Sequence, residues 1–174
     1  SGTPSAPPSV NDIVQIGTSV FTNQPTISTA VSVKSIVLGS AQAATLTIGG
    51  AGSLTTSGNI SGNWSAGTIH TINAGNQGLT INGDLILSDG TSGHAINLSA
   101  IAATVVINGS LIQAGGANIS FTGNTSVSIK NDFTYTSGAF SAGTGTVTYN
   151  GTSSQQIASV TYNNLIINKV SGIA

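Results

Sequence analysis

Few residues of this 174-residue chain could do acid–base chemistry: it has four aspartates, two histidines and no Glu, Arg or Cys. Asp84 and Asp132 occupy equivalent positions of a recurring nine-residue motif, with Ser110 at that position in the copy between them. Two strand spacings, roughly 9 to 10 Å, are at or just beyond the separation of about 6.5 to 9.5 Å between the two acids of inverting glycosidases. Each Asp follows a turn, where a carboxylate commonly accepts backbone N–H bonds, and no Arg or Glu is present to tune its pKa. We therefore predict structural aspartates and no enzyme.

Metal chemistry is also not expected. His70 and His94 lack a His or Cys partner at ligand spacing and lie in stretches rich in Gly, Ser and Thr, so we predict surface or loop histidines. Calcium-binding solenoids repeat Asp at fixed positions of every coil, which four scattered aspartates cannot supply. The sequence predicts no metal and no cofactor.

One aromatic residue is the candidate ligand contact. Trp64 lies in the longest gap between motif copies, where an inserted loop would project. An exposed Trp could stack on a sugar ring, whereas large aromatic side chains are more often buried as loop anchors. An ice-binding face would need a regular ladder of outward threonines, and the aligned outward positions mix Thr80, Val106 and Ser128.

The composition excludes several partners. Only 4% of residues are charged, against about 25% in typical proteins. Lys34, Lys130 and Lys169 stand far apart, so no basic patch can neutralise the phosphates of a nucleic acid. No run approaches the roughly 18 to 20 apolar residues of a spanning helix. We expect no nucleic-acid partner and no membrane insertion, although 39% hydrophobic residues can build a core.

Short β-strands dominate the pattern. Apolar and polar residues alternate with period two in 31–38, 45–48 and 146–149, and Gly or Asn-Gly turns follow. The 3.6-residue period of an amphipathic helix is absent, and strong helix formers are scarce. The chain is predicted to be all-β.

An internal repeat points to a solenoid. The segments 79–87, 105–113 and 127–135 superimpose without gaps, and a weaker copy is predicted at 46–50. Three columns are apolar in every copy and should stack inward: Leu79/Val105/Val127, Ile81/Ile107/Ile129 and Leu85/Leu111/Phe133. The shared Ile residues are 26 and 22 residues apart, which suits coils with variable loops. We predict a right-handed parallel β-helix of roughly seven coils, a rod about 30 to 35 Å long.

Asn-Gly pairs follow the first strand of the motif at Asn82-Gly83 and Asn108-Gly109. Both residue types tolerate left-handed backbone, so they can turn the chain through a corner, and stacked Asn side chains can form a hydrogen-bonded ladder. The competing interpretation is a type I′ hairpin at each pair, and a β-sandwich adhesin module is the alternative fold.

Four stretches carry a family resemblance: 7–17, 31–38, 145–157 and 162–168. The first two resemble the opening coils of long repetitive surface proteins from Bacteroidota, where a proline-rich entry leads into strands of the form Asp-x-Val-x-Ile and Val-x-Val-x-Ser-Leu. The last two are similar to another recurrent element of those proteins. The resemblance implies an extracellular or cell-surface β-solenoid, often exported by the type IX route, with roles in adhesion, gliding or biofilm. It offers no catalytic motif.

These observations define the expected function. We expect 1–174 to be one β-solenoid segment, with an extended entry at 1–10, of a longer repetitive protein that is secreted or at the cell surface. Its expected role is structural or adhesive. The alternatives are a glycan-binding module, a polysaccharide-active enzyme and an ice-binding protein. Expected partners are surface glycans or the chain itself, because uncovered coils can stack end to end into a filament.

Overall fold

The computed structural model describes residues 7–169, which contain nineteen short strands and no helix. The predicted entry segment falls partly outside this range, and the first strand begins at Ile13. In chain order the strands are β1 (Ile13–Ile16), β2 (Thr26–Ile27), β3 (Ala30–Val33), β4 (Ser35–Leu38), β5 (Thr45–Ile48), β6 (Ser53–Thr56), β7 (Ile60–Gly62), β8 (Ile69–Asn73), β9 (Gly78–Ile81), β10 (Leu85–Ile86), β11 (Ala95–Ile101), β12 (Thr104–Ile107), β13 (Leu111–Gln113), β14 (Ile119–Thr122), β15 (Ser126–Ile129), β16 (Phe133–Tyr135), β17 (Phe140–Ser141), β18 (Thr146–Tyr149) and β19 (Asn164–Ile167).

The strands wind into a parallel β-solenoid of about seven turns. Each complete coil contributes one strand to each of three sheets. Sheet A contains β1, β4, β7, β10, β13 and β16; sheet B contains β2, β5, β8, β11, β14 and β17; sheet C contains β3, β6, β9, β12, β15, β18 and β19. Every strand pair formed within residues 7–169 is parallel, for example β9 with β12 and β12 with β15. The predicted parallel β-helix is confirmed, and the hairpin and β-sandwich alternatives are wrong because they require antiparallel pairs.

The repeated motif spans the corner from sheet C to sheet A. Val105 pairs with Leu79 and Val127, and Ile107 pairs with Ile81 and Ile129. The third predicted column is also present, since Leu111 pairs with Leu85 and Phe133. All nine residues are buried, so the predicted inward columns form the core of the solenoid. Stacking each apolar side chain on its equivalent removes it from water on all sides, which stabilises the fold by about 1.5 to 3 kcal/mol for each large side chain.

Two details of the predicted strands are wrong. The stretch 31–38 is two strands, because Lys34 turns the corner between β3 and β4. The weaker copy at 46–50 is β5 of sheet B, and the true equivalent of Ile81 one coil earlier is Thr56 in β6. The glycines that suggested this copy belong to a different corner, where Gly50 has φ +62°.

The corner from sheet C to sheet A is held by close backbone packing. Gly83 and Gly109 do not have positive φ, so the prediction of left-handed backbone is wrong there. Glycine is needed because a Cβ on Gly109 would lie 2.3 Å from the Gly83 carbonyl oxygen. The predicted Asn ladder is confirmed: Asn108 Nδ2 donates to Asn82 Oδ1 at 2.8 Å, and Asn82 Nδ2 donates to the Thr56 carbonyl at 2.9 Å.

Left-handed backbone occurs instead at the corner from sheet B to sheet C. One residue in each of the second to sixth coils lies there with φ between +54° and +62°: Gly50, Gly75, Ala102, Gly123 and Gly143. Ala102 is the one non-glycine residue with positive φ in the described chain. Because a Cβ disfavours this conformation, Ala102 is a local strain in an otherwise glycine column.

Aromatic side chains fill the last coils. Phe140 contacts Phe121, Phe133 and Tyr162, with ring centroids 5.6 to 6.1 Å apart. Tyr149 and Tyr162 contact each other edge to face. Such contacts add to the burial energy of each ring, so this cluster closes the interior where the coils become shorter.

Candidate functional site

Asp84 and Asp132 lie at the corner from sheet C to sheet A, in one column with Ser110 between them as predicted. Asp84 Oδ1 accepts the N–H of Ser110 at 2.7 Å, and Asp132 Oδ1 accepts the N–H of Gln156 at 2.7 Å. Asn59 makes the same bond one coil earlier, to the N–H of Asp84 at 2.8 Å. Each of these side chains therefore hydrogen-bonds its coil to the next. A neutral amide accepts this bond as well as a carboxylate does.

His70 is buried inside the solenoid, so the prediction of a surface or loop histidine is wrong for this residue. It lies within β8 and pairs with Ile96, which places the ring in an inward column, and only 1% of the residue is exposed. The Ala44 N–H donates to Nδ1 at 3.1 Å. Nε2 therefore carries the proton of the neutral ring, and it has no hydrogen-bond partner among the described residues. Burial lowers the pKa of His70 below its ordinary value.

His94 lies in the loop between β10 and β11, as predicted, and belongs to a small cluster. Its Nδ1 is 3.0 Å from Asp89 Oδ2, and its ring stacks on Trp64 with centroids 5.9 Å apart. The His94 hydrogen bond, followed by the Thr91 N–H bond, holds the pKa of Asp89 below its ordinary value. Asp89 thus stays ionised and can orient the imidazole with its Nδ1–H toward the carboxylate, as in Asp–His pairs of acid–base sites.

Trp64 is half-buried and packs against the core. Its six-membered ring occupies the space that a side chain at position 62 would fill, since a Cβ on Gly62 would lie 2.4 to 2.6 Å from three of its carbons. One face of the indole lies against His94. This geometry favours the anchor interpretation: Trp64 packs against the core and, through its contact with His94, holds the loop 88–94 against its coil. The loop itself is turned by Ser88 Oγ and Asp89 Oδ1, which accept the N–H groups of Gly90 and Thr91.

Sheet B presents a continuous polar row to the outside. The pairing register aligns one outward residue from each coil, and all six are polar: Thr26, Thr47, Asn73, Ser99, Ser120 and Ser141. Their side chains repeat at about 4.8 Å, the spacing of neighbouring strands. The corresponding row of sheet C contains Thr80, Val106 and Ser128 as predicted, so its threonines are interrupted.

The last coil contains two features that sequence reasoning missed. Gln155 is buried; its Nε2 donates to the carbonyls of Ile129 at 3.1 Å and Asn131 at 2.6 Å, and its Oε1 accepts from Lys169 Nζ at 3.0 Å. The hydroxyls of Tyr149 and Tyr162 lie 2.8 Å apart, and burial raises the pKa of both tyrosines. The only signal in the sequence was the concentration of aromatic residues after position 120.

In comparisons with known proteins, no family model, no curated protein and no solved structure matches this chain. Within residues 7–169, no group of three or more His, Cys, Asp or Glu side chains is placed to hold a metal ion. A search of the same residues for a long apolar helix able to cross a membrane finds none.

Proposed function

We propose that this chain is a structural segment of a secreted or cell-surface fibrous protein, where it acts as a stiff spacer in adhesion. The observation that carries the proposal is the in-register stacking of equivalent residues from coil to coil. Apolar columns run through the interior, and polar side chains tie successive coils together along the corner from sheet C to sheet A. Bending such a rod would break many in-register contacts at once, so stacked coils transmit force along the axis.

Two further observations support this proposal. The outer faces carry many Ser, Thr and Asn side chains and few charges, so they hold no basic patch that would attract a nucleic acid. The resemblance to repetitive surface proteins of Bacteroidota points to the same extracellular role.

The proposal is tested in the full-length parent protein. Deleting whole coils, for example the two coils from β10 to β15, should shorten the fibre seen by electron microscopy by about 10 Å and leave it straight. A compact globule in place of a fibre would contradict the spacer role. A matched assay of cell adhesion with the same deletion tests the adhesive part, which fails if adhesion is unchanged when the entire segment is removed.

Glycan binding is the second candidate, and the polar row of sheet B favours it. A row of hydroxyls and amides at regular spacing can hydrogen-bond to a polysaccharide laid along the rod. Binding to insoluble polysaccharides should fall at least tenfold in Ser99→Arg, which places a long side chain in the middle of the row. Thr80→Arg on sheet C is the matched control and should bind like the unaltered chain. Equal binding by both variants would remove sheet B from consideration.

A further inference from the structure

The corner from sheet C to sheet A is longer after β18 than after β15. The N–H groups of Leu111 and Phe133, which are paired residues of sheet A, bond the carbonyls of Asp132 and Gln156 respectively. Gln156 is therefore the equivalent of Asp132 one coil later. Strands β15 and β18 end in register, yet β18 is followed by a longer segment before Gln156 is reached. The additional residues are 152–155, which form an insertion at this corner.

The insertion directs three oxygen atoms toward one point. They are the carbonyl oxygens of Gly151 and Ser153 and Oε1 of Gln155, and the ammonium of Lys169 lies where they converge. Its Nζ is 3.4 Å from the Gly151 oxygen and 3.0 Å from Gln155 Oε1, and the Ser153 carbonyl is its third acceptor. A lysine ammonium has three donors, so all of them are used here.

Gln155 fixes this group of oxygens from the coil beneath. The residue is only 6% exposed, and its Nε2 donates to the carbonyls of Ile129 at 3.1 Å and Asn131 at 2.6 Å. Its Oε1 also accepts the Gly151 N–H at 2.9 Å. A side chain at Gly151 would collide with the amide, since a Cβ there would lie 2.7 Å from Gln155 Cδ. Both ends of the amide are thus held, and its oxygen stays directed at the Lys169 ammonium.

The oxygens that surround the ammonium all belong to neutral groups. In residues 7–169, no carboxylate forms an ion pair with Lys169. Partial negative charges directed at one point repel each other unless a cation lies between them. Neutral carbonyl oxygens suit a monovalent cation, as they do in potassium channels, whereas Ca²⁺ and Mg²⁺ sites usually include carboxylates. The arrangement therefore has the chemistry of a site for K⁺ or an ammonium ion.

From the insertion, the converging oxygens and the fixed amide, we propose that residues 151–155 form a binding site for one monovalent cation, which this chain fills with the Lys169 ammonium. Lys169 reaches the site from the coil above, because Ile167 of β19 pairs with Tyr149 of β18. A free K⁺ or ammonium ion takes the same place when the lysine is removed. The proposal concerns this corner alone and does not rest on the spacer role proposed above.

The test replaces the lysine and supplies the cation from solution. Lys169→Met keeps an unbranched side chain without the ammonium, so the Gly151 N–H, which bonds Gln155 Oε1, should exchange with deuterium roughly tenfold faster. KCl and ammonium chloride should slow this exchange toward the rate of the unaltered chain. LiCl and tetramethylammonium chloride at the same concentration should not, because one cation is too small and the other too large for the site.

The exposed Lys130 of the same corner provides the matched control. Lys130→Met should show no difference among the salts. An equal effect of every salt on Lys169→Met would mean that screening alone acts on the corner, which overturns the proposal. So does the absence of any salt effect on folded Lys169→Met.

A measurement on the unaltered chain does not depend on whether the variant folds. In nitrogen-labelled protein, the Lys169 ammonium should give an N–H signal by NMR, because its three hydrogen bonds slow exchange with water. The exposed ammonium groups of Lys34 and Lys130 should give none under the same conditions. A Lys169 signal as weak as theirs overturns the proposal. Either negative result would leave the stacking of the coils and the spacer role untouched, so the two proposals fail separately.

Discussion

The two ends of this solenoid are built from the same coil but packed differently. In the first coil the interior is lined by aliphatic side chains and retains a cavity of about 290 Å³. In the last complete coil, Phe133 and Tyr149 are fully buried and Phe140 and Tyr162 pack around them. Gln155 then bonds two carbonyls of the coil beneath. Strand pairing in register is therefore enough to form a coil. Dense side-chain packing inside the coil is a separate property, which is weak at the N-terminal end and strong at the C-terminal end.

Removing one ring from each end should give the largest contrast. Phe133→Ala deletes a fully buried side chain and should lower the free energy of unfolding by about 3 to 5 kcal/mol. Phe21 of the first coil is only partly buried, so Phe21→Ala should lower the free energy of unfolding by only about 1 to 2 kcal/mol. Chemical denaturation measures both, and similar losses would break the proposed contrast between the ends.

Adding a methylene should have opposite effects at the two ends. Val31 lines the cavity of the first coil, so Val31→Ile should stabilise the protein by up to about 0.8 kcal/mol. Val147 is fully buried beside the aromatic cluster, so Val147→Ile should destabilise it by about 1 to 3 kcal/mol through overpacking. Thermal unfolding of the pair is the test, and a gain for Val147→Ile would show that the last coils are not tightly filled.

Acid should destabilise the coil that contains His70. Its folded pKa is lowered by burial from about 6.5, so below that pH the unfolded chain binds a proton that the folded chain does not. Neutral His70 contributes fully to the free energy of unfolding above pH 6.5. This contribution is lost as the pH falls toward the lowered folded pKa, with a slope of at most about 1.4 kcal/mol per pH unit. His70→Asn keeps an acceptor near the Ala44 N–H and cannot titrate. Denaturant midpoints between pH 7 and pH 5 should fall in the unaltered chain and much less in this variant; parallel curves would contradict the assignment.

The smallest effect is expected at the corner from sheet B to sheet C. Ala102→Gly should stabilise the protein by roughly 0.5 to 1 kcal/mol, since it removes a Cβ from left-handed backbone. Gly123→Ala, one coil later in the same column, should lower the free energy of unfolding by a similar amount. Melting temperatures that move in the same direction for both variants would contradict this account of the corner.

Part of this structure could be predicted from its sequence, and the reason is visible in the repeated motif. Leu79, Ile81 and Leu85 recur because an inward position of a stacked coil has an apolar neighbour above and below, so the side-chain type repeats with the coil. The same logic identified the column of Asp84 and Asp132 and the Asn ladder. Sheet C and its corner to sheet A could therefore be predicted from the sequence.

The rest of the fold could not be predicted because other segments repeat less faithfully. Coil lengths vary, so the equivalents of Ile81 in earlier coils could not be aligned, and Thr56 was missed at a buried position. Glycine marks two corners for different reasons, close packing at Gly109 and positive φ at Gly50, and sequence does not distinguish them. His70 follows the exposed Ile69 in a short strand, where a shift of one residue exchanges inside and outside.

The candidate site residues also divide into those whose positions could be predicted and those whose contacts could not. The positions of Asp84 and Asp132 were predictable because they belong to the motif, whereas the contact between Trp64 and His94 joins two loops of different coils and leaves no periodic signal. Packing of Trp64 against Gly62 is likewise a matter of three-dimensional shape.

The most direct measurement of the central claim is hydrogen–deuterium exchange resolved by coil. A single parallel solenoid that is open at its N-terminal end and filled at its C-terminal end predicts slow exchange in β13 to β18 and progressively faster exchange from β6 toward β1, because local opening is easiest where fewest apolar contacts are lost. Uniform protection across all coils, or greater protection of β1 to β3 than of β16 to β18, would contradict it.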